Sequence, residues 1–182
     1  MNTDNDLIYS ELLFIRYLRG DKTALEELAR YWEKRLFYYI SRLVDNEEDA
    51  WDALQDTWVA FIRNTSKLRE PRKLVMWLYK TARHKAMDKL RERYDNRTVP
   101  MECEDIPAAE ECSETFEDAQ QVHKALGEIS VHHREVLTLF FMEDLLIDEI
   151  AEVLDTPVGT VKSRLHFARK ALRAVIEKEE AI

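Results

Sequence analysis

Apolar residues recur at three- and four-residue spacing along most of the chain. Leu25, Leu28, Tyr31, Trp32, Leu36, Tyr39, Ile40 and Leu43 line one side of a helix from Lys22, with Asp21 as its N-cap and Asp45 and Asn46 ending it. A second helix is predicted from about Glu47 to Asn64, with Ala50, Leu54, Trp58, Phe61 and Ile62 on one side and Asp49, Asp52, Gln55 and Asp56 exposed. After a polar loop, Thr65 to Pro71, a third helix from near Arg72 to Arg93 turns Leu74, Trp77, Leu78, Ala82, Met87 and Leu90 inward. Further on, Phe116 to Ile129, His132 to Phe141, Leu146 to Leu154 and Val158 to Glu180 read as four more helices. With only three glycines and four prolines to interrupt it, the sequence favours long helices, and the expected fold is all-α.

Between the two groups of helices, Val99 to Gln121 carries Glu102, Glu104, Asp105, Glu110, Glu111, Glu114, Glu117 and Asp118 and no Lys or Arg. It also holds Pro100 and Pro107 and has little to bury besides Ile106 and Phe116, so it reads as a flexible acidic linker. The expected organisation is two small helical domains, residues 1–97 and 119–182, joined through 98–118.

The formal charge of −9 argues, as an average, against a nucleic-acid partner. The distribution reverses that argument. Arg63 to Arg97 holds twelve basic residues against four acidic ones, net +8, and Pro157 to Lys178 holds six against one, net +5. Two basic elements therefore sit in an acidic chain.

The second basic element follows a short helix and a three-residue turn, Asp155, Thr156 and Pro157, an arrangement that describes a helix-turn-helix. Ile150, Ala151 and Leu154 would face the core, Asp155 tolerates the left-handed backbone that ends a helix, and Pro157 suits the first turn of the next. At about 100° per residue, Val161, Leu165, Ala168 and Leu172 share one side. Lys162, Ser163, His166, Arg169, Lys170 and Arg173 share the other. Such a face taken alone is more often solvated surface; the preceding helix and turn favour a major-groove reader.

Other features stay open on residue chemistry alone. Trp77 and Tyr79 on the Arg72 to Arg93 helix fit stacking on a single strand, although aromatics at helical spacing are more often core. The acidic face at Asp49 to Asp56 is either solvated or meets a basic protein surface. Of the five histidines, none has a partner at metal-ligand spacing, and Gly20, Gly127 and Gly159 build no phosphate loop. No enzymatic activity, cofactor or metal is expected. Cys103 and Cys112 form no disulfide scaffold, and no segment has the roughly 20 apolar residues that span a bilayer. The N-terminus is polar and acidic, so a cytoplasmic protein without membrane insertion is expected.

The run GDKTALEELARYWEKRLFYYISRLVDNEEDAWDALQDTWVAFIRN, followed by MWLYKTARHKAMDKLRER, resembles the region-two domain of the extracytoplasmic-function sigma factors of RNA polymerase. The run HHREVLTLFFMEDLLIDEIAEVLDTPVGTVKSRLHFARKAL resembles their region-four domain, in the family's order. The resemblance implies a chain that binds core RNA polymerase and directs it to promoter DNA. Asp49, Asp52, Gln55 and Asp56 would dock on the clamp helices of the polymerase's largest subunit. Asn64, Lys67, Arg69, Trp77, Lys80, Arg83, His84 and Arg91 would read and hold the melted minus-ten element. Thr160, Lys162, Ser163, Arg164, His166, Phe167, Arg169 and Lys170 would contact the minus-thirty-five element. An anti-sigma factor is implied as a further partner, and the linker would run toward the RNA exit path, its acidity suppressing DNA binding by the free protein.

Three positions depart from the family's pattern. Phe167 stands where many members have Arg, Leu146 and Asp144 stand where a capping Ser and a Gly are usual, and His84 replaces a frequent Asn. The competing readings are a helix-turn-helix regulator that works without polymerase and a helical adaptor that binds only protein. The first leaves the acidic helix and the first basic helix without a task, and the second leaves both basic faces without one.

Overall fold

The computed structural model describes residues 3–44, 46–68, 70–95 and 117–180, and every regular element among them is helical. The chain divides into two compact units, Met1–Asn96 with Glu152–Asp155, and Arg97–Ala151 with Thr156–Ile182.

The first unit is built from α1 (Thr3–Leu18), α2 (Thr23–Ser41), α3 (Glu47–Asn64) and α4 (Leu74–Asp95). α2 packs against the other three, and α4 packs against α1 and α3. Its core comes from the predicted stripes: Leu28, Trp32, Leu36, Tyr39, Ile40 and Leu43 are buried, as are Ala50, Leu54 and Phe61, and Leu74, Leu78 and Ala82. Aromatic rings meet edge to face through its centre, Tyr79 against Trp32 at 5.9 Å and against Tyr39 at 5.3 Å, a geometry that suits their quadrupoles. The Trp32 indole N–H donates to Ser10 Oγ at 2.9 Å, and that hydroxyl donates to the Asp6 carbonyl, so a polar pair enters the core with both partners satisfied.

α1 is the element that the apolar spacing did not predict. Its Leu13 and Phe14 are fully buried, while Ile8, Leu12 and Leu18 are exposed, so apolar residues surround the helix and no single stripe stands out. Its end is explicit in the backbone. Gly20, at φ +97°, donates to the Tyr17 carbonyl and Asp21 to that of Arg16, the paired bonds of a Schellman motif.

The cap predicted at Asp21 forms, and Asn46, expected only to end the preceding helix, caps the next one. Asp21 Oδ1 accepts from the Thr23 backbone N–H at 3.0 Å, and Asn46 Oδ1 accepts from that of Asp49 at 2.7 Å, opening α2 and α3. Two apolar placements are corrected. Ile62, expected inward on α3, is 51% exposed, and Trp58 is only half-buried. Phe61, also expected inward, takes the central place, its ring meeting those of Phe14, Tyr17, Trp58 and Trp77.

The second unit holds α5 (Glu117–Glu128), α6 (Val131–Leu137), α7 (Ile147–Leu154) as far as Ala151, and α8 (Val158–Glu180), with α5 and α6 packed on α8. The Arg134 side chain fixes the corner between α5 and α6: its guanidinium donates to the carbonyls of Leu126, Gly127 and Ile129, groups left without partners at a helix end. α6 runs on into a wider π turn, Thr138–Met142, closed by the Glu143 N–H on the Thr138 carbonyl. Asp144 follows at φ +53°, which accounts for an Asp in a position that suits Gly.

Leu146 then stands at the N-cap of α7. It has no side-chain acceptor to offer, but its N–H donates to Glu149 Oε2 at 2.8 Å, so the backward half of a capping box is kept without the forward half.

Candidate nucleic-acid interface

α7 ends at Asp155, whose φ of +56° is the left-handed conformation expected of it, and the Thr156 N–H donates back to the Ala151 carbonyl. The Pro157 carbonyl accepts the first bonds of α8 from Thr160 at 2.8 Å and Val161 at 3.2 Å. Ile150, Ala151 and Leu154 on α7 and Val161, Leu165 and Ala168 on α8 are buried, as their spacing predicts.

Burial on one side leaves the opposite side of α8 to solvent. Lys162, Ser163, His166, Phe167, Arg169 and Lys170 are exposed there, with Arg173 continuing the face, and Thr160 and Arg164 flank it half-buried. The Ser163 hydroxyl donates to the Gly159 carbonyl at 3.0 Å, and the rings of His166 and Phe167 meet edge to face at 5.4 Å. The Arg169 guanidinium lies over Phe140 and Phe141, 5.4 and 5.3 Å from their centroids. That contact was not read from the sequence, because it joins α8 to the π turn across a gap of some thirty residues.

In the first unit, Asn64 closes α3, its side-chain amide donating to the Ala60 carbonyl at 2.8 Å, and Lys67 is exposed in the 3₁₀ turn Thr65–Lys67. Arg69 lies outside the described residues. On α4, Trp77, Lys80 and Arg83 are half-buried, and His84 and Arg91 are exposed. Trp77 serves the core in part: its ring packs on Phe61 at 5.8 Å. Arg91 approaches Asp88 at 3.4 Å, one turn away on the same helix.

On α3, Asp52 and Gln55 are exposed, while Asp49 and Asp56 are half-buried, a correction to the uniformly exposed acidic face. α4 reaches this face with two cations. Lys89 Nζ stands 3.1 Å from Asp52 Oδ2, and an Arg93 guanidinium nitrogen stands 3.4 Å from Asp49 Oδ2. The bond to Asp52 raises the Lys89 ammonium above its ordinary pKa. Cross-helix pairs of this kind are invisible to spacing along one helix.

No group of three or more His, Cys, Asp or Glu among the described residues could hold a metal ion, and no described helix is long and apolar enough to cross a membrane. Cys103, Cys112 and most of the linker lie outside the described residues.

Comparison with known proteins agrees with this geometry. The Sigma-70 region 2 family matches residues 28–95 and the Sigma-70, region 4 family matches residues 119–172. The RNA polymerase sigma factor SigV of Bacillus subtilis is 31% identical over 148 residues, covering 81% of this chain and 88% of that one. The ECF RNA polymerase sigma factor SigM of Mycobacterium tuberculosis is 30% identical over 165 residues, covering 90% and 83%.

Solved structures share the fold. The sigma factor RpoE, in complex with the anti-sigma factor NepR from Bartonella quintana, superposes with a TM-score of 0.70 at 23% identity over 84% of this chain and 96% of that one. CnrH, in complex with the cytosolic domain of CnrY, gives 0.66 at 22% identity over 93% and 98%. With both conserved-order regions matched and relatives aligned over most of their length, the chain belongs to the extracytoplasmic-function sigma factors of the sigma-70 family.

Proposed function

We propose that this chain acts as the promoter-selecting subunit of RNA polymerase: it binds the core enzyme and brings it to promoters through minus-ten and minus-thirty-five contacts. The observation that carries this reading is the presence on one short chain of two surfaces of opposite charge, the acidic side of α3 and the basic, solvent-facing side of α8 that follows the helix-turn-helix turn. An acidic helix face is suited to a basic protein surface. A basic recognition-helix face is suited to the major groove, where phosphate contacts give affinity and base edges give choice.

In this reading residues 1–97 serve as region two, residues 98–118 as the acidic linker and residues 119–182 as region four. Asp49, Asp52, Gln55 and Asp56 dock on the clamp helices of the polymerase's largest subunit. Asn64, Lys67, Arg69, Trp77, Lys80, Arg83, His84 and Arg91 hold the melted minus-ten strand. Thr160, Lys162, Ser163, Arg164, His166, Phe167, Arg169 and Lys170 face the minus-thirty-five duplex. The protein works in the cytoplasm beside the polymerase and performs no chemistry of its own. The complex that RpoE forms with the anti-sigma factor NepR supports an anti-sigma protein as a regulating partner.

Promoter binding measured with and without core polymerase tests the reading, at one fixed salt concentration because phosphate contacts make every affinity salt-dependent. Sequence-specific binding that requires the polymerase is the expected result. Equal specific binding by the free chain would instead make it a stand-alone helix-turn-helix regulator, and no DNA binding in either case would make it a protein-binding adaptor.

A further inference from the structure

One residue on the solvent-facing side of α8 is of the wrong chemical type for solvent. Phe167 is 58% exposed, and its ring meets that of its neighbour His166 at 5.4 Å. At 100° per residue it points about 130° away from the centre of the buried stripe formed by Val161, Leu165 and Ala168. It is therefore not a core residue left slightly open. It sits one turn beyond Ser163 and Arg164, whose side chains can hydrogen-bond, and one turn before Ala171.

A phenyl ring exposed on this face loses its contact with water when a surface covers the face, which favours an apolar partner at that point. A base-pair edge in the major groove presents acceptors, donors and a single apolar group, the C5-methyl of thymine. A phenyl ring has no strong donor or acceptor to satisfy the polar edges, and the methyl group is the one feature it complements.

We infer that Phe167 reads thymine in the minus-thirty-five duplex by apolar contact with its C5-methyl group, setting the preference of this chain at one base pair. The inference rests on the reading of α8 as the groove-facing helix. Lys162 and Ser163 supply polar contacts beside it, and the contact with Phe167 contributes selectivity more than affinity.

The test uses the full chain with core polymerase. A preferred duplex is first selected from a pool randomised across the minus-thirty-five segment, and each thymine in it is then replaced in turn by uracil, which removes only the methyl group. Replacement at one position is expected to weaken binding about fourfold, the worth of one methyl group taken out of contact. Phe167→Ala, whose side chain is removed from an exposed site, is expected to bind the thymine and uracil duplexes equally at that position.

Two results overturn the assignment. Uracil carries no penalty at any position, or the penalty persists unchanged in Phe167→Ala. Lys162→Ala separates the levels: if it weakens binding while either of those results holds, Phe167 alone is misassigned. If DNA binding is indifferent to both Lys162→Ala and Phe167→Ala, α8 does not read the duplex and the inference falls with that reading.

Discussion

Lys89 on α4 reaches across to Asp52 on α3, Nζ to Oδ2 at 3.1 Å, with Asp52 more than half exposed and the lysine largely covered. The acidic face proposed to meet the polymerase thus carries an internal cation, and Arg93 beside Asp49 adds a second. A polymerase cation docking on Asp52 has to displace Lys89 or share the carboxylate with it. Lys89→Ala is therefore expected to change folding stability by less than about 1 kcal/mol, as partly exposed pairs do. It should nonetheless tighten binding to core polymerase, whereas Asp52→Lys weakens it. Urea denaturation and fluorescence anisotropy with labelled protein measure the two quantities, and weaker polymerase binding by Lys89→Ala would contradict the competition.

Asp21 gives a pH signature. Its carboxylate accepts from the Thr23 N–H and hydroxyl and from the Arg16 guanidinium, and these bonds hold it down at about 2. A carboxyl whose folded pKa lies below its ordinary 3.8 stabilises the fold fully above that ordinary value, and the contribution fades as pH falls toward 2. Asp21→Ala is expected to lower the thermal midpoint at neutral pH, with the gap from the parent closing between about pH 4 and pH 2. A gap that stays constant across that range would show that the ionised carboxylate is not the source.

Leu146 offers a gain. It is 69% exposed at an N-cap whose backward bond to Glu149 already exists. Leu146→Ser adds the missing forward acceptor at the start of α7 and is expected to stabilise the second unit by about 1 kcal/mol, read as a shifted urea midpoint with unchanged slope. An unchanged midpoint would mean that the backbone there does not present its free N–H groups to a side chain.

The elements with one clean stripe and a cap were legible in the sequence. The spacing predicts α3 and α8 at the bounds observed, and Asp21, Asn46 and Asp155 mark helix ends because their chemistry is local. α1 escaped because its apolar residues surround the helix; Gly20 after Arg16 and Arg19 was the signal that could have found it. Ile62 was misplaced because it lies about 100° around α3 from Phe61, the residue that faces the core. The basic face of α8 was legible, since burial of Val161, Leu165 and Ala168 leaves it no other direction. The Lys89 and Arg93 pairs and the stacking of Arg169 on Phe140 and Phe141 were not, because each depends on how two elements meet.

Run-off transcription on genomic fragments tests the central claim most directly, using core RNA polymerase alone, with this chain, and with its Asp52→Lys/Asp56→Lys form. The expected result is a set of defined transcripts that appear only with the intact chain and collapse with the double substitution, which reverses charge on the docking face and leaves the α8 face untouched. Failure to stimulate transcription on any fragment, by a chain that is folded and binds DNA on its own, would contradict the assignment and leave a helix-turn-helix regulator in its place.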